Sequence, residues 1–265
     1  MDKKTITIIK DMKKNGERIV ALTCYSYSVA RLMNKSDIDI ILVGDSVGMV
    51  ELGYENTIPV TPEEMLHHIK AVKRSQPSAL LVADMPFMSY NISDKETLRM
   101  AGRFLKEGGA EAVKLEGGKT VSSIIKLLVD NNIPVMGHIG LTPQSIHRMG
   151  GYKVQGRSEQ EAGMLKEDAR LLDEAGVFSI VLEGVPAMLA RDISASVSVP
   201  TIGIGAGIHC DRQILVVNDM LGLDMDMKLK FVRRYADIGK DILTAFDRYA
   251  AEVRAGKFPA EEESY

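Results

Sequence analysis

With 265 residues the chain is long enough for one (β/α)8 barrel or for two smaller domains, and in either case for a sizeable buried core. Its 33 basic and 36 acidic residues are mixed along the chain and leave a net charge of −3, which gives no electrostatic footprint for nucleic acid and points to a small-molecule partner. Cys24 and Cys210 lie far apart and form neither a metal-type pair nor a disulfide framework. They are read as buried thiols. The start lacks a signal-type apolar region, and no apolar run approaches the roughly 20 residues that span a bilayer. A soluble, cytoplasmic protein with no membrane partner is expected.

Residues 5–14 are expected to form a short amphipathic helix, with Ile6, Ile9 and Met12 on one side and Gly16 as its stop. Strand 18–23, helix 28–35 and strand 39–43 follow, and 48–60 reads as a loop. Thr61, Pro62 and Glu64 make a capping box for a helix reaching about Arg74; strand 79–83 then ends in Asp84. Ser93 and Glu96 read as a second capping box, for a helix stopped by Gly108 and Gly109. Strand 112–115, helix 122–131 and strand 134–137 lead to His138. Ser158 and Glu161 start a helix that stops near Gly176, and strand 178–182 ends in Glu183. A short helix after Pro186, strand 200–202, a possible strand at 213–217 and a long helix over 236–254 complete the pattern. Strand and helix alternate with short connections and no linker, which calls for a parallel sheet. About eight strands favour a closed barrel, one (β/α)8 domain over residues 1–265 with an extra N-terminal helix and a long C-terminal helix.

The strand ends carry the chemistry. Asp45, Asp84, Glu116, His138 and Glu183 each follow or end a successive apolar strand, and in a parallel barrel those edges share one mouth. Packing does not require five consecutive strands to end in ionisable groups. Several carboxylates with one imidazole and no cysteine suit a hard ion such as Mg²⁺ better than structural Zn²⁺. Mg²⁺ takes one or two protein carboxylates, so one acid stays free for proton transfer. Lys114 lies two residues before Glu116, hence on the same strand face, where it can neutralise an anionic substrate. The Gly203, Gly205 and Gly207 run lacks the spacing of a dinucleotide fingerprint and reads as a tight barrel corner. His67, His68, His147, His209 and the methionines of 220–227 read as surface, loop or packing residues.

On the segments 23–25, 44–48, 83–87, 113–118, 137–144, 151–157 and 203–207, in this order, the sequence resembles the ketopantoate hydroxymethyltransferase family. The resemblance implies a (β/α)8 barrel that transfers a one-carbon unit from 5,10-methylenetetrahydrofolate to 3-methyl-2-oxobutanoate. The products are 2-dehydropantoate, early in pantothenate biosynthesis, and tetrahydrofolate. It further implies Asp45, Asp84 and Glu116 as Mg²⁺ ligands, and Asp45, Ser46, Asp84 and Lys114 as contacts to the keto acid. It places His138 in the substrate pocket, makes Glu183 the proton acceptor, and implies a homo-oligomer, often a decamer. Two departures stand out: Gly184 where the family commonly has Cys, and Arg212 where it commonly has Gly, both read as affecting local loop shape. No aromatic or basic cluster in the sequence points plainly to a folate site. The nearest rival is another Mg²⁺-enolate barrel, a lyase or mutase of the phosphoenolpyruvate type; a catalytically silent metal-binding barrel is the rival from a different class.

Overall fold

The computed structural model describes residues 2–265. Eight parallel strands pair in chain order: β1 (Ile19–Thr23), β2 (Ile40–Val43), β3 (Leu80–Asp84), β4 (Ala112–Glu116), β5 (Val135–Gly140), β6 (Ser179–Glu183), β7 (Thr201–Ile204) and β8 (Arg212–Leu215). β8 pairs back onto β1, so the barrel is closed. The helices are α1 (Ile6–Lys14), α2 (Tyr27–Met33), α3 (Val47–Val50), α4 (Pro62–Lys73), α5 (Asp94–Arg103), α6 (Ser122–Asp130), α7 (Ile146–Met149), α8 (Glu159–Ala175), α9 (Ala187–Ser196), α10 (Val217–Leu221) and α11 (Ile238–Arg254). This is a TIM barrel with an added helix at each end of the chain.

Two compact units make up the chain, one ending at Leu215 and one comprising Val216–Tyr265. In the second, α11 carries an exposed apolar side of Ile242, Leu243, Phe246, Tyr249 and Val253. Tyr249 meets Phe258 edge to face at 5.6 Å. No helix among the described residues is long and apolar enough to cross a membrane.

Alternate strand residues share a face, and the face lining the barrel changes character along its length. Near the strand starts it is hydrocarbon: Ile19, Ile40, Leu80, Ala112, Met136 and Ile202 belong to one buried cluster, completed from below by Ile9 and Met12 of α1. One or two pleats further on, the same face carries Asp84 after Leu80 and Val82, Lys114 and Glu116 after Ala112, His138 after Met136, and Glu183 after Val181. The N-terminal helix is thus a floor. Lys13 fastens it by donating to the carbonyls of Ser194, Val197 and Val199, and Lys4 pairs with Asp39 at 2.8 Å.

Thr61 forms the expected capping box, and Ser158, read as a helix start, forms one as well. Ser93 caps α5 only from one side, because the Glu96 carboxylate turns outward to Arg99 instead of back to the cap. The 48–60 segment is not all loop, since one turn of helix, α3, follows Ser46; a single turn is too short to show periodicity. β5 runs on to Gly140, so His138 lies within a strand and projects inward. The last strand begins at Arg212, and Val217 opens α10. Arg212 is therefore a strand residue, not a loop residue. It is buried, with Nε and Nη2 unpartnered, and burial lowers its pKa. Replacing an unpaired buried ion by a hydrophobe of similar length is favourable. Arg212→Met is expected to raise Tm by about 2–4 °C in a thermal melt, and a fall would contradict this account.

Candidate active site

Asp84 and Glu116 end β3 and β4, Glu183 ends β6, and Asp45 follows β2 by two residues, so all four carboxylates stand at the C-terminal mouth of the barrel. Strand register sets their heights. Lys114 is level with Asp84, Glu116 with His138, and Glu183 with Gly140, so the ionisable groups climb in steps around the wall. The absence of a side chain at Gly140 is required. Its φ is +97°, and a Cβ there would lie 2.3 Å from the Glu183 carbonyl oxygen.

Lys114 is the electrostatic centre. Its ammonium stands 3.1 Å from Asp84 Oδ1 and 3.2 Å from His138 Nδ1. Burial alone would lower its pKa, but Asp84, Glu116 and Asp45 together raise it, and the group stays charged. His138 is flanked by Glu116 Oε1 at 3.4 Å from Nδ1 and Glu183 Oε2 at 3.3 Å from Nε2. Burial and Lys114 oppose its charge, yet the two carboxylates prevail and raise its pKa to about 9. Burial would also raise Glu116, but His138 and Lys114 bring it below the ordinary value. Burial, then the charges of Asp84 and Glu116, push Asp45 well above the usual carboxylate range. Asp84 is raised too, burial outweighing the pull of Lys114.

Of these acids, Glu183 is the open one. Its side chain is 19 % exposed, against 4 % for Asp84 and 3 % for Glu116. Ser46 lies at the rim, where its hydroxyl shares a 2.8 Å hydrogen bond with the Tyr25 phenol. The backbone N–H of Asp45 donates to Asp84 Oδ2 at 3.0 Å, joining the ends of β2 and β3.

The sequence reading missed the groups that tie this set together. Gln144, in the turn Pro143–Ser145, donates from Nε2 to Asp45 Oδ2 at 2.8 Å and to the Met85 carbonyl at 3.0 Å, while its backbone N–H donates to Glu116 Oε2 at 3.0 Å. The Tyr90 phenol donates to Gln144 Oε1 at 2.7 Å, which fixes the amide orientation. Burial and nearby carboxylates hold the Tyr90 pKa well above 10, so it remains a donor. Gln144 lies at the end of the 137–144 segment, but a neutral amide gives no chemical signal until its neighbours are known. Gly207 has φ +78°, and a Cβ there would fall 2.4 Å from Ala187 Cβ, so the glycine run is closely packed.

The donors suit a hard cation. Asp45, Asp84 and Glu116 offer only oxygen, and Asp84 Oδ1, although near Lys114, accepts no directed hydrogen bond. No three His, Cys, Asp or Glu side chains among the described residues enclose an ion directly. Mg²⁺ needs only one or two direct carboxylates and keeps several waters, so the set fits it on those terms. The thiols of Cys24 and Cys210 are free and buried. A separate cleft of about 380 Å³, lined by Asp219, Asp224, Lys228, Lys230 and Arg234 among others, lies within the C-terminal unit and shares no residue with this site.

The family model described as ketopantoate hydroxymethyltransferase matches residues 3–261. A curated relative from Geobacter metallireducens, 3-methyl-2-oxobutanoate hydroxymethyltransferase, is 55 % identical over 263 residues, covering 99 % of this chain and 98 % of its own. One of the same name from Syntrophomonas wolfei is 54 % identical over 265 residues, covering 100 % and 96 %. Among solved structures, a 2,3-dimethylmalate lyase of the PEP mutase/isocitrate lyase superfamily aligns with TM-score 0.61 at 16 % identity, covering 98 % of this chain and 91 % of its own. A phosphonopyruvate hydrolase aligns at 0.63 and 12 %, covering 99 % and 90 %. Those distant structures share the barrel, and the full-length sequence relatives share more. The chain belongs to the ketopantoate hydroxymethyltransferase family and is an enzyme, a transferase.

Proposed function

We propose that this enzyme transfers a one-carbon unit from 5,10-methylenetetrahydrofolate to 3-methyl-2-oxobutanoate, forming 2-dehydropantoate and tetrahydrofolate for pantothenate synthesis in the cytoplasm. The observation that carries this reading is a buried ammonium, Lys114, set deep among carboxylates, with one further carboxylate, Glu183, left open above it. A keto acid bound with its carboxylate on Lys114 and Ser46 turns its carbon chain toward the mouth. Glu183 then removes the C3 proton, and His138, close to that carboxylate, steadies it. The resulting carbanionic carbon bonds to the folate-borne methylene as one of that methylene's two C–N bonds breaks, the released nitrogen taking the proton that Glu183 removed. Water then displaces the second folate nitrogen from the methylene, its oxygen becoming the hydroxyl and its proton going to that nitrogen. Asp45, Asp84 and Glu116 would hold Mg²⁺, which when bound supplies Lewis-acid stabilisation of negative charge on the keto oxygen.

The test is Mg²⁺-dependent formation of 2-dehydropantoate by the purified enzyme, with no product expected in chelator or without folate. Turnover of a keto acid without folate would favour the lyase or mutase rival that the shared barrel keeps in view. The same reading assigns the exposed apolar side of α11 to contacts between copies in a homo-oligomer, a decamer being the size implied by the family resemblance.

A further inference from the structure

We propose that the connection between β5 and α8, residues 141–158, is the docking site for the reduced folate, with Tyr152 receiving the planar pyrimidinone ring of the pterin and the cations of the loop receiving the anionic glutamyl tail. The inference rests on the folate-dependent reading above and deepens it by placing the second substrate.

Position comes first. Both legs of the loop are fastened to the end of β6: Leu141 N–H donates to the Glu183 carbonyl and Gln155 N–H to the Gly184 carbonyl, each at 2.8 Å. Between them the Tyr152 hydroxyl reaches Met49 Sδ at 3.5 Å, on the segment that follows β2 and carries Asp45 and Ser46. The tyrosine therefore links the Glu183 side of the mouth to the Asp45 side. Its ring remains 50 % exposed. Partial burial, and then the charges of Glu183, Asp45 and Glu116, raise its pKa, as expected of a phenol facing those acids.

Charge is the second observation. Residues 141–158 contain no Asp or Glu, yet carry His147, Arg148, Lys153 and Arg157 in a chain whose net charge is −3. All four are exposed, and among the described residues none of them forms an ion pair. Left unpaired beside the mouth, they suit an incoming anion. A reduced folate brings a planar pyrimidinone ring, which stacks on tyrosine, and a glutamyl tail with two or more carboxylates. Its methylene must also reach the carbon from which Glu183 removes the proton, and the loop is pinned beside that residue.

Steady-state kinetics and calorimetry on the full-length enzyme test the assignment. Tyr152→Leu and the double variant Arg148→Glu/Lys153→Glu are each expected to raise KM for methylenetetrahydrofolate at least tenfold, while KM for the keto acid changes by less than about twofold. Tetrahydrofolate binding should weaken in parallel, and the double variant should lose any preference for triglutamyl over monoglutamyl folate. Tyr152→Phe, which keeps the ring, should retain the wild-type folate KM within about twofold. Unchanged folate KM in both disruptive variants, or folate and keto-acid KM rising together, would overturn the assignment. A wild-type enzyme without folate-dependent turnover would instead remove the reading on which it rests.

Discussion

Glu183→Gln is expected to stop solvent exchange at C3 of 3-methyl-2-oxobutanoate and to lower kcat by about 10²–10⁴-fold, the range for losing a general base. The amide keeps the shape of the side chain and its place beside His138, but has no lone pair basic enough to take a proton. Because Glu183 is the most open of the site's acids and lies apart from Lys114, keto-acid binding should survive. Proton NMR in deuterated buffer, with Mg²⁺ and keto acid but no folate, reads the exchange step alone. Exchange at the wild-type rate in this variant would transfer the base role to another group. Loss of binding together with exchange would mean that Glu183 also grips the substrate.

Lys114→Met should act on binding and stability together. The substitution leaves Asp45, Asp84 and Glu116 in a buried chamber without the ammonium that offsets them, and breaking a buried pair costs about 3–5 kcal/mol. A Tm lower by about 10 °C follows for a domain of this size. Mg²⁺ should restore part of that loss, because a cation among the same carboxylates relieves the same repulsion. Keto-acid binding should fall below detection by calorimetry with or without the metal. A variant that bound keto acid as well as the native enzyme would show that the substrate carboxylate lies elsewhere.

The barrel was legible because each strand is a short apolar run and each helix begins or ends with a recognisable signal, such as Thr61 with Glu64 or Ser158 with Glu161. Convergence of Asp84, Lys114, Glu116, His138 and Glu183 was legible for a related reason: a parallel barrel brings strand ends to one rim whatever their spacing in sequence. Other features depend on distances that no local pattern encodes. Gln144 matters because its amide meets residues 99 and 59 positions away, Asp45 and Met85. The cations of 147–157 gain meaning once Gln155 is seen pinned to Gly184, which places a dispersed basic segment beside the proposed base. Ser93 failed as a full capping box because Arg99, one turn along, competed for the carboxylate of Glu96. Arg212, read as a loop departure because the family commonly has Gly there, instead opens the last strand with its own side chain buried.

The floor laid by α1 has a kinetic consequence. Among the described residues Ile9 and Met12 fill the far end in hydrocarbon, so the ionisable groups face the opposite end of the barrel. A keto acid seated on Lys114 lies below any folate resting at Tyr152, so the smaller guest must enter first and its product must wait for the larger to leave. Turnover should follow a compulsory order, with tetrahydrofolate released before 2-dehydropantoate.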